Sequence, residues 1–351
     1  MRHTLLLALA LGAGAGLAMP ATAQAQAQIN VPANVSWMHD GTGLILRSKL
    51  AGLPRGTISD STKGGFDIMV QYAEGEATAV TLYIYRPALM SVPMWFDRSE
   101  TQILMRQDVF GTSTPTGPAR AFAGPRAAAP TALRRSYVPG KGPNKSTGLV
   151  ILPLGEWLVA VRASSTSLDP AALDAKIDEV IAGIGWPEKT PEGPVAPAAV
   201  AITPCAGALA YDRKAKPMKP DAGQSILGAL ILGVAADATK DKDGKPIVPA
   251  QFCREGDPTQ QYGVYRTSDS TDNYTIAIAD AGRIVTVWHA LKLEGKDNGY
   301  QLGLGDLDRK LVYPNFDGLP TPQAALDAVT KLRPVSAVQR GSKSVQVFVP
   351  K

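Results

Sequence analysis

Histidines are the residues best suited to proton transfer near neutral pH, and two of the three lie well inside the chain. His39 is followed by Asp40, a pair that suits general-base chemistry only if the carboxylate orients the ring. Adjacent residues of an extended chain point to opposite faces, so Asp40 does not orient His39. His289 alternates with Val285 and Val287 on a predicted strand, which favours a core or semi-buried position. The sequence therefore predicts structural roles for both histidines.

Short motifs for other chemistries are incomplete. The nucleophile elbow Gly-x-Ser-x-Gly does not occur in the sequence. The segment 140–146 departs from a phosphate-binding loop because Asn144 stands where a glycine must precede the lysine. The segment 241–244 resembles the middle of a calcium loop, but Thr239 and Ala250 occupy two of the ligand positions. We expect no metal and no cofactor.

The beginning of the chain has the pattern of a secretory signal peptide. Basic Arg2 precedes an uncharged apolar run over 5–19, and a small-residue cleavage motif follows at 21–23. This predicts a signal peptide over 1–23, with cleavage between 23 and 27. The later sequence has no apolar stretch of membrane-spanning length. We therefore expect a periplasmic or secreted protein without a transmembrane span in the mature chain.

The predicted export determines how the two cysteines are interpreted. Cys205 and Cys253 are 48 positions apart, and an oxidising compartment favours their pairing. A metal site needs more ligands than two isolated thiols supply. We predict a disulfide between them, with free thiols as the alternative.

An unusual segment, 112–148, contains six cations, six prolines and no acidic residue. The cations are Arg120, Arg126, Arg134, Arg135, Lys141 and Lys145. The pattern predicts a cationic proline-rich loop that contacts a polyanion, such as lipopolysaccharide, phospholipid, a glycan or an acidic protein of the envelope. The alternative is a solvated loop without a partner. Nucleic acid is not expected as a partner, because the protein is exported.

Composition and proline spacing predict two domains. The chain has 351 residues, of which 45% are hydrophobic and 19% charged, and its net charge is +5. These values are typical of globular proteins and exclude disorder throughout. Prolines at 187, 191, 194 and 197 make 187–199 a semi-rigid linker. It separates a domain over 30–186 from one over 200–351, which contains the predicted disulfide.

Hydrophobic periodicity places the elements of each domain. Hairpins are predicted within 66–86 and 149–162, a helix over 94–110, and a second helix capped by Asp169. The second domain has predicted strands over 262–266, 274–279, 283–290 and 345–349, a buried helix within 226–236 and a helix starting at Thr321. We therefore predict an α+β protein of two domains, each a mainly antiparallel sheet with a few packed helices.

The first domain resembles a known family. The segments 66–86, 149–162 and 168–186 follow an order similar to that of the Mog1/PsbP-like α/β/α sandwich. The likeness covers under half of the chain and involves no diagnostic motif. It implies a terminal helix packed on an antiparallel sheet, and a role as a binding or assembly-accessory module. The second domain resembles no family that we can name.

These observations favour an exported, non-enzymatic envelope protein that acts as a binding or accessory module. Its predicted partner is an anionic envelope component or another envelope protein. The alternative is a periplasmic or secreted hydrolase that uses carboxylates or a serine outside any recognisable motif, since such groups meet only in the folded chain.

Overall fold

The computed structural model describes residues 27–219, 250–291, 297–342 and 344–348. The predicted signal peptide, the predicted helix within 226–236 and the calcium-like motif at 241–244 lie outside the described residues.

The first sheet is antiparallel and has ten strands. They are β1 (Ala27–Ile29), β4 (Lys49–Leu50), β5 (Leu53–Asp60), β6 (Asp67–Glu74), β7 (Thr78–Tyr85), β8 (Thr114–Pro115), β9 (Arg120–Phe122), β10 (Ala132–Val138), β11 (Ser146–Leu154) and β12 (Trp157–Ser165). The main path runs β1-β5-β6-β7-β12-β11-β10-β8, while β4 pairs with β5 and β9 with β10. Two further strands, β2 (Trp37–Met38) and β3 (Ile45–Leu46), form a small hairpin.

The second sheet has eight antiparallel strands in sequence order. They are β13 (Phe252–Glu255), β14 (Tyr262–Thr267), β15 (Tyr274–Ile278), β16 (Arg283–His289), β17 (Tyr300–Gly305), β18 (Arg309–Phe316), β19 (Ser336–Gln339) and β20 (Val345–Val347). Each strand pairs with its neighbour in the chain, so this sheet is a meander.

The helices of the described residues are few. They are α1 (Val92–Leu104), α2 (Gln107–Phe110), α3 (Pro170–Gly183) and α4 (Pro322–Lys331). Strands hold 38% of the described residues and helices 14%. The predicted α+β class is therefore wrong, and the protein is mainly β. The reason is that many short or irregular strands, such as β8 and β9, lack a clear alternation of apolar residues and were expected to be loops.

Local sequence explains where the long helices begin. Asp169 accepts a hydrogen bond of 2.8 Å from the backbone N–H of Ala172, and proline follows at the first turn of α3. Thr321 caps α4 in the same way. Both caps confirm the sequence prediction. The helix predicted over 94–110 is divided, because α1 ends at Leu104 and α2 starts at Gln107.

The core consists of layers on both faces of the first sheet. Leu173, Ile177 and Val180 of α3 pack on one face, and α1 packs on the other. The second sheet lies against α1 through buried Tyr265, whereas α4 packs on the opposite face of that sheet. Helix α1 is therefore the element enclosed between the two sheets.

The segment 187–199 follows the surface of the first sheet. Gly155, at φ +61°, lies against the backbone of Pro191, and the N–H of Glu156 donates to the carbonyl of Glu192 at 3.0 Å. Further along, the N–H of Ala199 donates to the carbonyl of Pro130 at 2.8 Å. The division of the chain into two domains at this segment stays a prediction.

The predicted disulfide is confirmed. Cys205 and Cys253 are bonded, and their Cα atoms are 4.9 Å apart. The bond fastens the segment that precedes the second sheet to β13. A parallel bridge between Pro204 and Arg254 lies beside it.

Candidate functional site

The segment 112–148, predicted to be a loop, contains β8, β9, β10 and the beginning of β11. It contributes three strands to the edge of the first sheet, where β10 pairs with β11, β9 and β8. Its arginines therefore have fixed neighbours in the fold, and those neighbours determine which positive charges a partner can reach.

Arg134 is buried and bonded to the acidic face of α3. Its guanidinium donates to Asp174 and Asp178, each at 2.5 Å, and lies over the ring of Phe122 at 5.2 Å. Arg120, on β9, is much more exposed and also reaches Asp174, at 2.9 Å. These two arginines attach the sheet edge to α3.

The other two arginines of the segment are also engaged. Arg135 donates to Glu100 of α1 at 2.8 Å, and Tyr137 donates to the same carboxylate at 2.8 Å. Arg126 donates to the carbonyl of Pro187 at 2.8 Å. Contact of the four arginines with a polyanion stays a prediction, but each guanidinium already has a partner within the protein.

Lys141 and Lys145 differ from the four arginines. Both are exposed, and neither forms an ion pair with any residue that the structure describes. The backbone N–H of Lys141 donates to the carbonyl of Phe110 at 3.0 Å, which holds the lysine beside α2. Lys145 lies four residues further on, directly before β11.

Sequence reasoning missed the residues that lie beside Lys141. Arg106, between α1 and α2, is exposed, and its guanidinium carbon is 5.9 Å from the centre of the Phe110 ring. Met105 and Val109 are each 37% exposed. Lys145 is included because it is exposed and lies four residues after Lys141 in the chain. We call this group the α2 surface: Met105, Arg106, Val109, Phe110, Lys141 and Lys145. The signal in the sequence was the apolar residues at 105, 109 and 110, which lie within the helix predicted over 94–110.

The α2 surface has a positive balance. Arg106, Lys141 and Lys145 contribute three positive charges, and exposed Asp108 contributes one negative charge. Exposed apolar side chains lie among the cations. The arrangement can therefore attract an anion and at the same time offer apolar contact.

His39 has the structural role that the sequence predicts. Its Nδ1 lies 2.8 Å from the hydroxyl of Thr42, and its Nε2 lies 2.8 Å from the carbonyl oxygen of Gly65. The ring also packs edge-on against Trp157 at 4.9 Å. Burial lowers the pKa of His39 below its ordinary value, and the nearby carboxylates of Asp40 and Asp60 oppose this effect only in part. The His39 ring therefore joins the turn at Thr42 to the turn at Gly65.

His289 lies partly exposed at the end of β16. Its Nδ1 is 3.1 Å from the carbonyl oxygen of Ala290, and its Nε2 is 3.7 Å from Asp297. The ring is also 5.2 Å from that of Tyr300. The two histidines therefore have different partners, and the structure does not bring them together.

A buried polar network around α1 has no short motif in the sequence. Asp97 accepts hydrogen bonds from Tyr265 at 2.6 Å and from Arg254 at 2.5 Å. Arg98 donates to the backbone carbonyls of Ala279 and Thr259 at 2.7 and 2.9 Å. Burial raises the pKa of the Asp97 carboxyl, while Tyr265 and Arg254 oppose the rise. All of these partners belong to the protein itself, so the network positions the second sheet on α1.

The described residues offer neither a metal site nor a membrane-spanning helix. No group of three or more histidine, cysteine or acidic side chains there is close enough to hold a metal ion. None of the helices in the described part of the chain combines the length and the hydropathy that a bilayer crossing requires.

Comparison with known proteins adds no relative: no family model, no curated protein and no solved structure matches this chain. The resemblance of the first domain to the Mog1/PsbP-like sandwich stays a prediction.

Proposed function

We propose that the protein is an exported, non-enzymatic binding or accessory module of the cell envelope, and that the α2 surface contacts anionic lipid. The observation that carries the proposal is the position of exposed cations, which form no ion pair with any described residue, beside exposed apolar side chains. Lys141 is held next to Phe110 by a backbone hydrogen bond, and Met105 and Val109 lie on either side of Arg106 in the chain.

Charge gives the surface its attraction for an anionic layer. A lysine or arginine close to such a layer contributes about 1 kcal/mol of binding free energy. Arg106, Lys141 and Lys145 together then contribute about 3 kcal/mol at low salt, less the repulsion of Asp108. At physiological salt the Debye length is about 8 Å, so only cations in close contact with the headgroups contribute.

The apolar side chains favour lipid over a soluble polyanion. Met105 and Val109 are each 37% exposed, and a soluble sugar or phosphate polymer has no apolar phase for them to enter. At a bilayer, they pass into the boundary between headgroups and acyl chains, as in other peripheral membrane contacts. Charge and apolar contact together give reversible binding.

The non-enzymatic part of the proposal is supported by the hydrogen bonds of His39 and Asp97, the two side chains best suited to acid–base chemistry. Both ring nitrogens of His39 are in hydrogen-bond contact with groups of the fold, at 2.8 Å. The buried carboxylate of Asp97 is bonded to Tyr265 and Arg254. These groups support packing, and the α2 surface needs none of them.

Co-sedimentation with vesicles tests the proposal. We expect the protein to bind vesicles of phosphatidylcholine with phosphatidylglycerol, to bind pure phosphatidylcholine at least ten-fold more weakly, and to dissociate as salt rises. The double variant Met105→Ser/Val109→Ser is expected to bind more weakly at every salt concentration. Equal binding to both vesicle types, or no binding to either, contradicts the proposal.

A further inference from the structure

A cavity of about 140 Å³, open to solvent on one side, lies beside the N-terminal end of α1. Side chains of Met90 and Val92 form one side, the segment 196–203 forms a second, and Ala250 to Phe252 complete the lining. The lining contains no charged side chain among the described residues. This cavity belongs neither to the α2 surface nor to the polar network around α1.

The cavity lies next to a bridge between two chain segments. The N–H of Cys205 donates to the carbonyl of Arg254, and the N–H of Arg254 donates to the carbonyl of Thr203, both at 2.9 Å. These two bonds form the parallel bridge beside the disulfide. On the N-terminal side of the bridge, the segments 200–203 and 250–252 line the cavity together. The bond between Cys205 and Cys253 therefore fixes the spacing of two walls.

The lining has few polar groups, and the hydroxyl of Ser91 and the carbonyl of Thr203 already form hydrogen bonds within the protein. The hydroxyl of Ser91 caps α1 by accepting from the backbone N–H of Met94 at 3.3 Å. Thr203 uses its carbonyl in the bridge. Most of the lining is alanine, valine, proline, methionine and phenylalanine, so an apolar group enters without leaving a charge desolvated.

Size defines what the cavity can hold. An apolar cavity of roughly 150 Å³ accommodates a benzene ring. We propose that this cavity is a binding site for a small uncharged hydrocarbon group, a single aromatic ring or a branched chain of about the same volume. The proposal is independent of lipid contact at the α2 surface, because the two sites share no residue.

The disulfide gives the site a second property. Thr203 lies two residues before Cys205, and Phe252 directly precedes Cys253, so both walls are attached to the bonded cysteines. Reduction allows these walls to separate or collapse. The affinity for the hydrocarbon is therefore expected to fall when the disulfide is reduced while the protein stays folded.

Titration of the full chain with toluene, followed by ligand-observed NMR, tests the proposal. The variant Ala198→Trp introduces a large side chain at an exposed alanine of the lining. The matched control is Ala206→Trp, at an exposed alanine outside the lining. We expect saturable binding to the wild type and to Ala206→Trp, and at least a ten-fold loss in Ala198→Trp.

Three results would overturn the proposal. They are the absence of saturable toluene binding to the wild type, equal affinities in all three proteins, and equal losses in both tryptophan variants. Circular dichroism of each variant separates a filled cavity from a protein that fails to fold. Because toluene is uncharged and vesicles are absent, failure here leaves the lipid proposal standing, and failure of vesicle binding leaves this site standing.

Discussion

The hydroxyl of Tyr265 donates a hydrogen bond of 2.6 Å to the carboxylate of Asp97, and this bond joins the second sheet to helix α1. Both residues are buried, and Arg254 of β13 reaches the other oxygen of the same carboxylate. Asp97 is thus shared by two strands of the second sheet. Its position explains how a charged residue is accommodated in the middle of the protein.

Replacing Tyr265 by phenylalanine is expected to destabilise the protein by about 1–3 kcal/mol. The change removes one donor from a buried carboxylate, and an unsatisfied buried acceptor costs that amount. Urea denaturation measures the effect. Tyr300→Phe, at a half-buried position of the same sheet, is the control, and its effect is expected to stay within about 0.5 kcal/mol. Equal decreases in the free energy of unfolding for the two variants would contradict a stabilising role of the bond between Tyr265 and Asp97.

Arg134 and Arg120 contact the same aspartate but differ in exposure. The side chain of Arg134 is 6% exposed and that of Arg120 is 64% exposed. We expect Arg134→Met to lower the free energy of unfolding by about 1–3 kcal/mol, since it removes the hydrogen bonds that a buried guanidinium donates to two carboxylates. Arg120→Ser is expected to cost under about 1 kcal/mol, as for other exposed ion pairs. Neither change is expected to alter binding to anionic vesicles.

Stability is expected to fall as pH decreases below the ordinary histidine pKa of 6.5. Burial lowers the pKa of His39 in the folded state, so the unfolded state takes up the proton first. The contribution of His39 is therefore fully present above pH 6.5 and is lost as pH decreases toward the lowered folded pKa. Urea denaturation between pH 7.5 and 5, compared with His39→Gln, measures this part of the slope. His289→Gln removes a histidine at a half-exposed site and is the matched control. If His289→Gln, and not His39→Gln, reduces the dependence of the unfolding free energy on pH, the assignment to His39 is wrong.

The disulfide is expected to stabilise the second sheet, because Cys253 lies in β13. Its cysteines are 48 residues apart, and closing a loop of that length contributes about 4 kcal/mol at most in the chain-entropy model. Cys205→Ser is expected to lower the melting temperature, and calorimetry measures the change. Alkylation of the unreduced wild type followed by mass spectrometry checks the bond itself. Two labelled cysteines in that experiment would contradict the pairing.

Local signals in the sequence predicted several elements well. The hairpin predicted within 66–86 is β6 and β7, and that within 149–162 lies in β11 and β12. Alternation of apolar residues defines such strands because one side chain in two enters the core. The caps at Asp169 and Thr321 were predictable for a similar reason, since a cap is a local hydrogen bond.

Ion pairs between residues that are distant in the chain could not be predicted from the sequence. The segment 112–148 has no acidic residue, so the sequence predicted that its arginines contact a polyanion outside the protein. Their partners Glu100, Asp174 and Asp178 come from α1 and α3, which the folded chain brings to the sheet edge. The same limit applies to the α2 surface, where Lys141 meets Phe110 only through a contact made on folding.

The most direct test of the lipid proposal is the vesicle partition coefficient of Arg106→Ser/Lys141→Ser/Lys145→Ser relative to a charge-matched control. The control, Lys49→Ser/Arg213→Ser/Lys214→Ser, also removes three exposed cations, from other parts of the chain. Both variants have the same net charge, so a difference between them measures position alone. We predict at least a ten-fold weaker partition onto anionic vesicles for the α2-surface variant and near wild-type partition for the control. Equal partition of the two variants would contradict the assignment of lipid contact to the α2 surface.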